Sequence, residues 1–266
     1  MTDTSRPTHL TPDNAAAFQL AGVVDAYHLR TPYPIELGPF LRSLMSPTVG
    51  AIVELGCGTG EIARMLAPHV DRVDAIDVSL PMLERARTMP DGSHTSIRWI
   101  YGSAEDAALD GPYALAVAGD ALHWMNWGAV LARIQTVLAP GAYLAIVHAM
   151  AETPPWSTQL RELIGRYSVM QDFEPFDLVE ELTAQRLFVT VGERTIGGTP
   201  FSRSINDYVE GLHATAWLPR ERMRLERARA FDGAVSGLVA PHAVDGTLSF
   251  AVSAHVVWGK PGSGVS

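Results

Sequence analysis

A glycine-rich turn between an apolar strand and a helix is the feature that most constrains the fold of this chain. The apolar run 51–55 is followed by glycine at every second position, at Gly56, Gly58 and Gly60. A strand that turns sharply into a helix exposes backbone N–H groups at the helix start, and glycine lets a ligand approach them closely. The segment therefore predicts a ligand-binding loop at the end of a buried strand.

The spacing of this loop separates it from the dinucleotide fingerprint. The glycines follow the pattern G-x-G-x-G with Glu54 two residues before the first of them, whereas dinucleotide-binding loops follow G-x-G-x-x-G. The carboxylate of Glu54 is predicted to end a buried strand, where burial is costly unless the group meets a partner. A cationic or N–H-rich ligand would supply that partner.

A second acid, Asp77, ends the next predicted strand at 73–77. A carboxylate at this position can accept hydrogen bonds from both hydroxyls of a ribose. The alternative is that Asp77 caps the helix that begins near Pro81, although Ser79 is also placed to be that cap. We favour ribose binding for Asp77.

Alternation of strands and helices along residues 51–147 predicts a parallel sheet covered by helices on both faces. After residue 151, helical stretches precede each of two late strands at 187–196 and 247–258, which we expect to add an antiparallel part. These helical stretches, with those before residue 46, are expected to form a cap. One of them, 219–231, carries five arginines and is expected to expose a solvated, charged face.

Composition argues against several classes of function. Lys260 is the only lysine and Cys57 the only cysteine, which argues against lysine-based chemistry and excludes an intramolecular disulfide and a cysteine-rich zinc site. The net charge of −9 argues against a nucleic-acid partner, because phosphate contacts require a basic face. The histidines show no H-E-x-x-H or comparable spacing, so we expect no metal.

The start of the chain shows no targeting signal, since its first twelve residues are polar and lack the apolar segment of a signal peptide. The longest apolar stretches are near ten residues, whereas a membrane span requires about 20. The sequence therefore predicts a cytoplasmic protein without a membrane partner. It does not indicate the oligomeric state.

Six motifs in this chain resemble those of class I S-adenosylmethionine-dependent methyltransferases and occur in the same order. Within that family the chain is similar to the type-11, trans-aconitate-methyltransferase-like group of small-molecule enzymes, clearly over residues 18–150 and weakly at 204–218 and 249–258. The resembling segments are the entry segment at 18–34, motif I at 54–60, the acidic motif at 75–83, the adenine-contacting segment at 102–106, motif IV in its His-Trp form at 118–124, and the hairpin before the fifth strand at 138–144. Thr31, which stands before Pro32, departs from the entry pattern Y-x-x-x-R-P-x-Y-P.

This resemblance implies an α/β fold with a Rossmann-like, seven-stranded methyltransferase sheet, mostly parallel with an antiparallel last strand, and a helical cap. It implies a single methyltransferase domain over residues 1–266. The core would comprise about 47–150, 187–198 and 245–260, and the cap would comprise 13–46, 151–186 and 199–242.

The resemblance also implies S-adenosylmethionine as the cofactor. The glycine loop would lie along its methionine and ribose, Asp77 would hold the ribose hydroxyls, and residues at 78, 82 and 103–105 would contact adenine. Residues 119–120 would face the methionine amino group, and residues 27 and 30 would close over the cofactor. The implied cofactor-binding residues are Tyr27, Arg30, Glu54, Gly56, Gly58, Gly60, Asp77, Val78, Met82, Ser103, Ala104, Glu105, Gly119 and Asp120.

His123 is the candidate catalytic residue, because it follows the fourth strand at the carboxyl edge where open α/β sheets bind ligands. Its imidazole would be a general base for a hydroxyl or amine acceptor. The alternatives are that His123 only shapes the pocket, that His148 after the fifth strand is the base, or that a carboxylate acceptor needs none. Trp124 would line the reaction site or pack in the core, and Trp127 is expected at the core or its rim.

The leading hypothesis is an S-adenosylmethionine-dependent methyltransferase that acts on a small molecule by in-line methyl transfer to oxygen, nitrogen or carbon. A carboxylate or hydroxyl acceptor is favoured, with Arg194, Arg203 or another cap arginine as the anchor for an acid. Two alternatives stay open. One is an NAD(P)-dependent Rossmann oxidoreductase, and the other is a non-catalytic protein that binds S-adenosylmethionine.

Overall fold

The computed structural model describes residues 7–170 and 173–262, which divide into two compact units. The first unit comprises residues 7–32, 151–170, 173–175 and 198–252, and the second comprises 33–150, 176–197 and 253–262. The strands are β1 (Ala51–Leu55), β2 (Arg72–Asp77), β3 (Ile97–Tyr101), β4 (Tyr113–Gly119), β5 (Leu138–Ala151), β6 (Phe188–Ser204) and β7 (Thr247–Pro261).

Helices of both α and 3₁₀ type connect these strands. The α-helices are α1 (Pro12–Ala15), α2 (Ala21–Ala26), α3 (Leu37–Ser43), α4 (Glu61–Leu66), α5 (Leu80–Thr88), α6 (Trp127–Val137), α7 (Ser157–Tyr167), α8 (Leu178–Ala184), α9 (Ile205–His213) and α10 (Leu225–Val239). The 3₁₀ helices are Ala16–Gln19, Tyr27–Leu29, Ala67–His69, Leu122–Trp124, Arg220–Arg222 and Ala240–His242. In the part of the chain that the structure describes, no helix has the length and apolarity needed to span a membrane. The cytoplasmic location stays a prediction.

The sheet has the strand order β3-β2-β1-β4-β5-β7-β6. At its centre, β1 pairs in parallel with β2 and β4, and parallel pairing continues from β2 to β3 and from β4 to β5. The last strands are antiparallel. This mixed sheet with flanking helices confirms the predicted Rossmann-like fold class.

The parallel part of the sheet belongs to the second unit and is buried on both faces. Ile52, Val53 and Leu55 of β1 have no exposed surface, as expected for a central parallel strand. Leu41 of α3 and Ile62 of α4 pack in the same apolar cluster as Ile52. Because β1 to β5 run in the same direction, this core aligns their carboxyl ends along one edge, where open α/β sheets bind ligands.

The first unit has a separate apolar core made by helices. Helix α10 packs against α7 and α9. The buried residues of this core are Trp156, Val209, Leu218, Phe231, Val235, Val239 and Leu248. Its role as a cap and the single-domain organisation of the chain stay predictions.

Two helical predictions were wrong. The helical spacing of apolar residues over 13–29 predicts one helix, but the structure breaks it at Leu20, whose extended backbone (ψ 136°) separates a 3₁₀ turn from α2. The stretch 219–231 is also not one helix, because Arg220–Arg222 is a 3₁₀ turn and α10 begins only at Leu225.

Arg220 corrects the expectation of a solvated face on that charged stretch. Its guanidinium is half-buried and pairs with Glu210 at 2.6 Å and with Asp232 at 2.8 Å. Burial alone would raise the pKa of Asp232, but hydrogen bonds from Arg220 and His213 outweigh it and lower that pKa. Arg220 therefore holds α9 to α10. Arg224, Arg227 and Arg229 are exposed, as the expectation of a solvated face requires.

The late strands β6 and β7 are longer than predicted, and so is β5. It begins at Leu138 and includes Pro140 and Gly141, which were predicted to precede the strand. Leu138 pairs with Tyr113 of β4, and the register then shifts before the next pair. This irregularity accommodates the proline and the left-handed glycine, as bulges commonly do.

Candidate functional site

The glycine loop joins the end of β1 to the start of α4, as the sequence predicted. Gly56, Gly58 and Gly60 have positive φ values of 66°, 53° and 71°, a conformation that strains other residues. The Cys57 N–H donates to the Ile76 carbonyl of β2 at 2.9 Å. The loop is therefore a fixed turn held against the end of β2.

Asp77 lies beside this loop at the end of β2. Its Oδ2 accepts a hydrogen bond from the Gly58 N–H and its Oδ1 accepts one from the Ser79 N–H, both at 2.7 Å. The N-cap of α5 is Ser79, whose Oγ accepts from the Met82 N–H at 3.3 Å. Burial raises the pKa of Asp77, although the two backbone hydrogen bonds oppose that shift. Capping thus falls to Ser79, and Asp77 orders the loop.

Glu54 is buried directly beneath the loop, with 3% of its surface exposed. Its Oε2 has no hydrogen-bond partner among the described residues. Burial raises its pKa from 4.5 to about 8; a hydrogen bond from the Ala63 backbone opposes this shift and the nearby Asp77 charge adds to it. A ligand with a positive charge or N–H groups would satisfy this oxygen.

The raised pKa of Glu54 predicts a pH-dependent stability of the ligand-free protein. The pKa of Glu54 is about 8 in the folded protein and 4.5 as the reference value. Its protonated form therefore stabilises the fold fully below pH 4.5, and this stabilisation is lost as the pH rises through about 8. The loss is on the order of several kcal/mol in the free energy of unfolding. Urea unfolding of Glu54→Gln at a series of pH values should lack this decline.

Glu84→Gln is the matched control, because Glu84 is exposed on α5. We expect it to keep the wild-type decline. An equal decline in Glu54→Gln and wild type would show that Glu54 titrates normally.

The residues that follow β3 form a closed turn. The Ser103 hydroxyl accepts from the Asp106 N–H and donates to the Asp106 carboxylate, both at 3.1 Å. Ala104 is buried, and Glu105 Oε1 accepts from the Asn126 N–H at 2.7 Å. This turn is thereby tied to the start of α6.

Apolar side chains are exposed at the carboxyl ends of β2 and β3. Val78 is 53% exposed and Tyr101, which ends β3, is 65% exposed. Met82 lies inside the core, with 1% of its surface exposed. Val78 therefore offers an open apolar face, and contact between Met82 and adenine stays a prediction.

At the end of β4, Gly119 and Asp120 meet residues of two other segments. Asp120 Oδ2 accepts from the Tyr33 hydroxyl at 3.3 Å and from the Ala149 N–H at 3.1 Å, and its Oδ1 lies 2.5 Å from His148 Nδ1. A Cβ at Gly119 would lie 2.6 Å from the Tyr33 hydroxyl, so only glycine allows that approach. Neither Tyr33 nor the pairing of His148 with Asp120 was predicted from the sequence.

His123 lies in the 3₁₀ turn after β4, half-buried, with its ring centroid 5.0 Å from that of Trp124. Its role as a base stays a prediction. Trp127 is 2% exposed, its Nε1 donates to the Leu122 carbonyl at 3.1 Å, and its ring stacks on Phe176. The prediction that Trp127 belongs to the core is confirmed.

Tyr27 and Arg30 belong to the first unit, where the structure brings them together. Arg30 Nη1 donates to the Tyr27 hydroxyl at 2.9 Å, and the guanidinium carbon lies 4.9 Å from the Tyr27 ring centroid. Arg203 donates to the Arg30 carbonyl at 3.2 Å. The proposed closure of Tyr27 and Arg30 over the cofactor stays a prediction.

A family model described as a methyltransferase domain matches residues 52–141, which contain the glycine loop, Asp77 and the end of β4. The chain carries a class I, S-adenosylmethionine-dependent methyltransferase domain. The type-11, trans-aconitate-methyltransferase-like subfamily stays a prediction.

Relatives of this methyltransferase domain include two uncharacterized methyltransferases of Mycobacterium tuberculosis. One is 32% identical over 115 residues, which is 42% of this chain and 57% of the relative. The other is 27% identical over 188 residues, which is 70% of this chain and 72% of the relative. The chain thus spans less than two thirds of the length of the more similar of these two.

Solved structures share the fold of the methyltransferase domain. A candidate type II methyltransferase of Anaeromyxobacter dehalogenans superposes with a TM-score of 0.64 at 20% identity, covering 87% of this chain and 97% of that one. An S-adenosylmethionine-dependent methyltransferase of Thiobacillus denitrificans, solved with S-adenosyl-L-homocysteine, gives a TM-score of 0.50 at 16% identity, with 98% and 95% covered. At these identities the likeness concerns the fold alone.

The methyltransferase domain fits S-adenosylmethionine in two respects. The cationic amino group of the cofactor matches Glu54, whose buried Oε2 has no partner in the described residues. The left-handed glycines leave the loop backbone without side chains at residues 56, 58 and 60, and the Gly58 N–H donates to Asp77. These residues can therefore hold both a charged and a hydroxyl-bearing part of one ligand.

Proposed function

We propose that the whole chain is an S-adenosylmethionine-dependent methyltransferase that transfers a methyl group in line to an oxygen, nitrogen or carbon of a small molecule. The buried Oε2 of Glu54, which has no hydrogen-bond partner among the described residues, carries the proposal, because a ligand with a positive charge or N–H groups would satisfy it. That the protein has no nucleic-acid partner and no metal remains a prediction.

The role of the residues in this reaction is to bind and orient. In-line displacement at a sulfonium depends on positioning and on exclusion of water. When bound, the cofactor supplies an electrophilic methyl group. Asp77 would hold the ribose hydroxyls, Glu54 the amino group, and the exposed face of Val78 the adenine.

A cavity of about 340 Å³ in the first unit supports a small-molecule acceptor. Its volume lies within the range of about 300–1,000 Å³ that is typical of small-molecule sites. The lining combines apolar and polar side chains, namely Thr31, Ala151, Thr153, Pro154, Ser157, Leu160, Arg161, Ile164, Tyr208, Leu212 and Phe250. We propose that this cavity binds the body of the acceptor.

The arginine at this cavity is Arg161, which the sequence did not single out. The two arginines that it did suggest stack on aromatic rings, Arg194 at 5.3 Å from Phe40 and Arg203 at 4.6 Å from Phe201. An acceptor with an apolar body and an acidic group would match the cavity lining. Arg161 is then the candidate anchor for the acid.

The proposed function is tested by release of S-adenosylhomocysteine from S-adenosylmethionine on incubation with phenols, alcohols, amines and carboxylic acids. Within this assay, Ala151→Trp should reduce kcat/KM for the acceptor at least about tenfold, because the indole fills part of the cavity. Ala151 is exposed, so the fold tolerates the larger side chain. Affinity for S-adenosylmethionine should not change.

Glu152→Trp is the matched control, since Glu152 is the exposed residue next to Ala151 and does not line the cavity. It should keep wild-type turnover. Equal losses in both variants would remove the cavity from the acceptor site. Cofactor binding without turnover of any acceptor would identify a non-catalytic binding protein instead.

A further inference from the structure

Asp120, which follows β4, faces His148, which lies within β5. The two strands are parallel, and Gly119 pairs with Val147 as their last register pair. The residues that follow this pair along the two chains therefore lie side by side. These residues are Asp120 and His148, whose Oδ1 and Nδ1 atoms lie 2.5 Å apart.

Asp120 is held in place on its other side. Its Oδ2 accepts from the Ala149 N–H and from the Tyr33 hydroxyl, and its own N–H donates to the Val147 carbonyl at 2.9 Å. The Asp120 side chain is 17% exposed, whereas that of His148 is 67% exposed. The carboxylate is thus fixed and largely enclosed, while the imidazole projects outward.

This arrangement defines the tautomer of His148. A carboxylate oxygen accepts hydrogen bonds, so His148 Nδ1 carries the proton and donates to Asp120. In the neutral ring, Nε2 then carries the lone pair. A base whose ring is oriented by a carboxylate is the arrangement that activates nucleophiles in many enzymes.

We propose that His148 is the general base of the methyl transfer, that Asp120 positions it, and that the acceptor is a hydroxyl compound. This proposal rests on the proposed function. The acceptor oxygen forms a bond to the methyl carbon, the bond from carbon to sulfur breaks with its electron pair going to sulfur, and the hydroxyl proton moves to His148 Nε2. The imidazolium formed is stabilised by Asp120, and its proton then passes to water.

The proton that the acceptor loses during methyl transfer indicates the class of substrate. A carboxylate is already ionised at neutral pH and needs no base, whereas an alcohol or phenol loses its proton during transfer. A positioned base typically contributes 10²–10⁴-fold to such a step. The charged and titratable groups that contact this pair in the second unit include Tyr33 and, through the Tyr33 backbone N–H at 2.9 Å, Glu61.

The test compares wild type with His148→Gln, using phenol, catechol and 1-octanol as hydroxyl probes and benzoate and octanoate as carboxylate probes. We expect wild type to methylate a hydroxyl probe and the variant to lose at least about 100-fold in kcat. The kcat of wild type should rise with pH and level off once His148 is neutral. That of the variant should keep rising with the ionised fraction of the probe. His148 is exposed, so this substitution leaves the fold intact.

His69→Gln, at an exposed histidine of the second unit, is the matched control and should behave as wild type. Calorimetric titration with S-adenosylmethionine distinguishes failure of the proposed function from failure of the proposed role of His148. A protein that does not bind S-adenosylmethionine contradicts the proposed function itself. A wild type that binds it but methylates only carboxylates, or none of the probes, overturns the role of His148. So does a His148→Gln variant with the kcat and pH profile of wild type.

Discussion

Asp77→Ala is expected to weaken S-adenosylmethionine binding at least about tenfold, the size of one lost hydrogen bond to a charged group. The carboxylate has two roles in this expectation. It would accept from the ribose hydroxyls, and it already holds the Gly58 and Ser79 N–H groups at 2.7 Å. Its removal therefore loosens the loop as well as removing an acceptor. Isothermal titration calorimetry measures the change in affinity.

Asp71→Asn is the control for this effect, because Asp71 is exposed just before β2, at the opposite end of the strand from Asp77. Its affinity for S-adenosylmethionine should equal that of wild type. Circular dichroism of both variants checks that the sheet is retained. An unchanged affinity of Asp77→Ala would remove Asp77 from the cofactor site.

Gly60→Ala should destabilise the ligand-free protein by about 2–5 kcal/mol. A φ of 71° costs an alanine about 1–2 kcal/mol, and overpacking costs about 1–3 kcal/mol more. The added Cβ would overlap the ring of Trp99. That ring cannot swing aside freely, since its Nε1 donates to the Gly92 carbonyl at 3.0 Å. Urea unfolding measures the loss.

Gly141→Ala separates the two contributions to this loss. Gly141 also has a positive φ, of 84°, but apart from its chain neighbours no atom of the described residues lies within 4 Å of the position that its Cβ would take. This variant should lose only about 1–2 kcal/mol from the backbone conformation. If Gly60→Ala costs no more than Gly141→Ala, the contact with Trp99 does not restrict the loop.

The sequence predicted the parallel part of the sheet and the glycine loop because both depend on local patterns. Apolar runs of strand length and glycines at fixed spacing identify β1, the loop and Asp77 without knowledge of the rest of the chain. The expected cost of burying Glu54 was also local, since it follows from a carboxylate at the end of an apolar strand. These parts of the candidate site lie within a few residues of the loop or of the next strand.

The partners of charged residues could not be predicted, because they depend on register and on contacts distant in sequence. His148 meets Asp120 only because β4 and β5 pair with Gly119 opposite Val147. The helical pattern of 219–231 gave no sign that Arg220 would reach Glu210 and Asp232, because those partners come from α9 and α10. The pattern of polar and apolar residues along one segment indicates which of its faces is exposed, but it does not show which residues its individual side chains pair with.

The arginine of the cavity in the first unit is a second example of a partner that the sequence does not reveal. Arg161 lies on α7, whose sequence shows an ordinary amphipathic pattern. Its significance depends on Tyr208, Leu212 and Phe250, which are more than forty residues further along the chain. Cavities are made by such distant residues, so their linings are the part of a site that sequence patterns describe least.

Cys57, the only cysteine of the chain, allows the opening rate of the glycine loop to be measured. Cys57 lies between two left-handed glycines, 6% exposed, and burial raises the pKa of its thiol well above the usual range. A thiol reagent reacts with the thiolate, so modification requires the loop to open first. Because the chain has one cysteine, the rate at which the reagent labels Cys57 measures the opening of this loop alone. No mutation or attached probe is needed. The slow reaction of the buried Cys57 thiol therefore makes it a suitable probe for the rate at which the glycine loop opens.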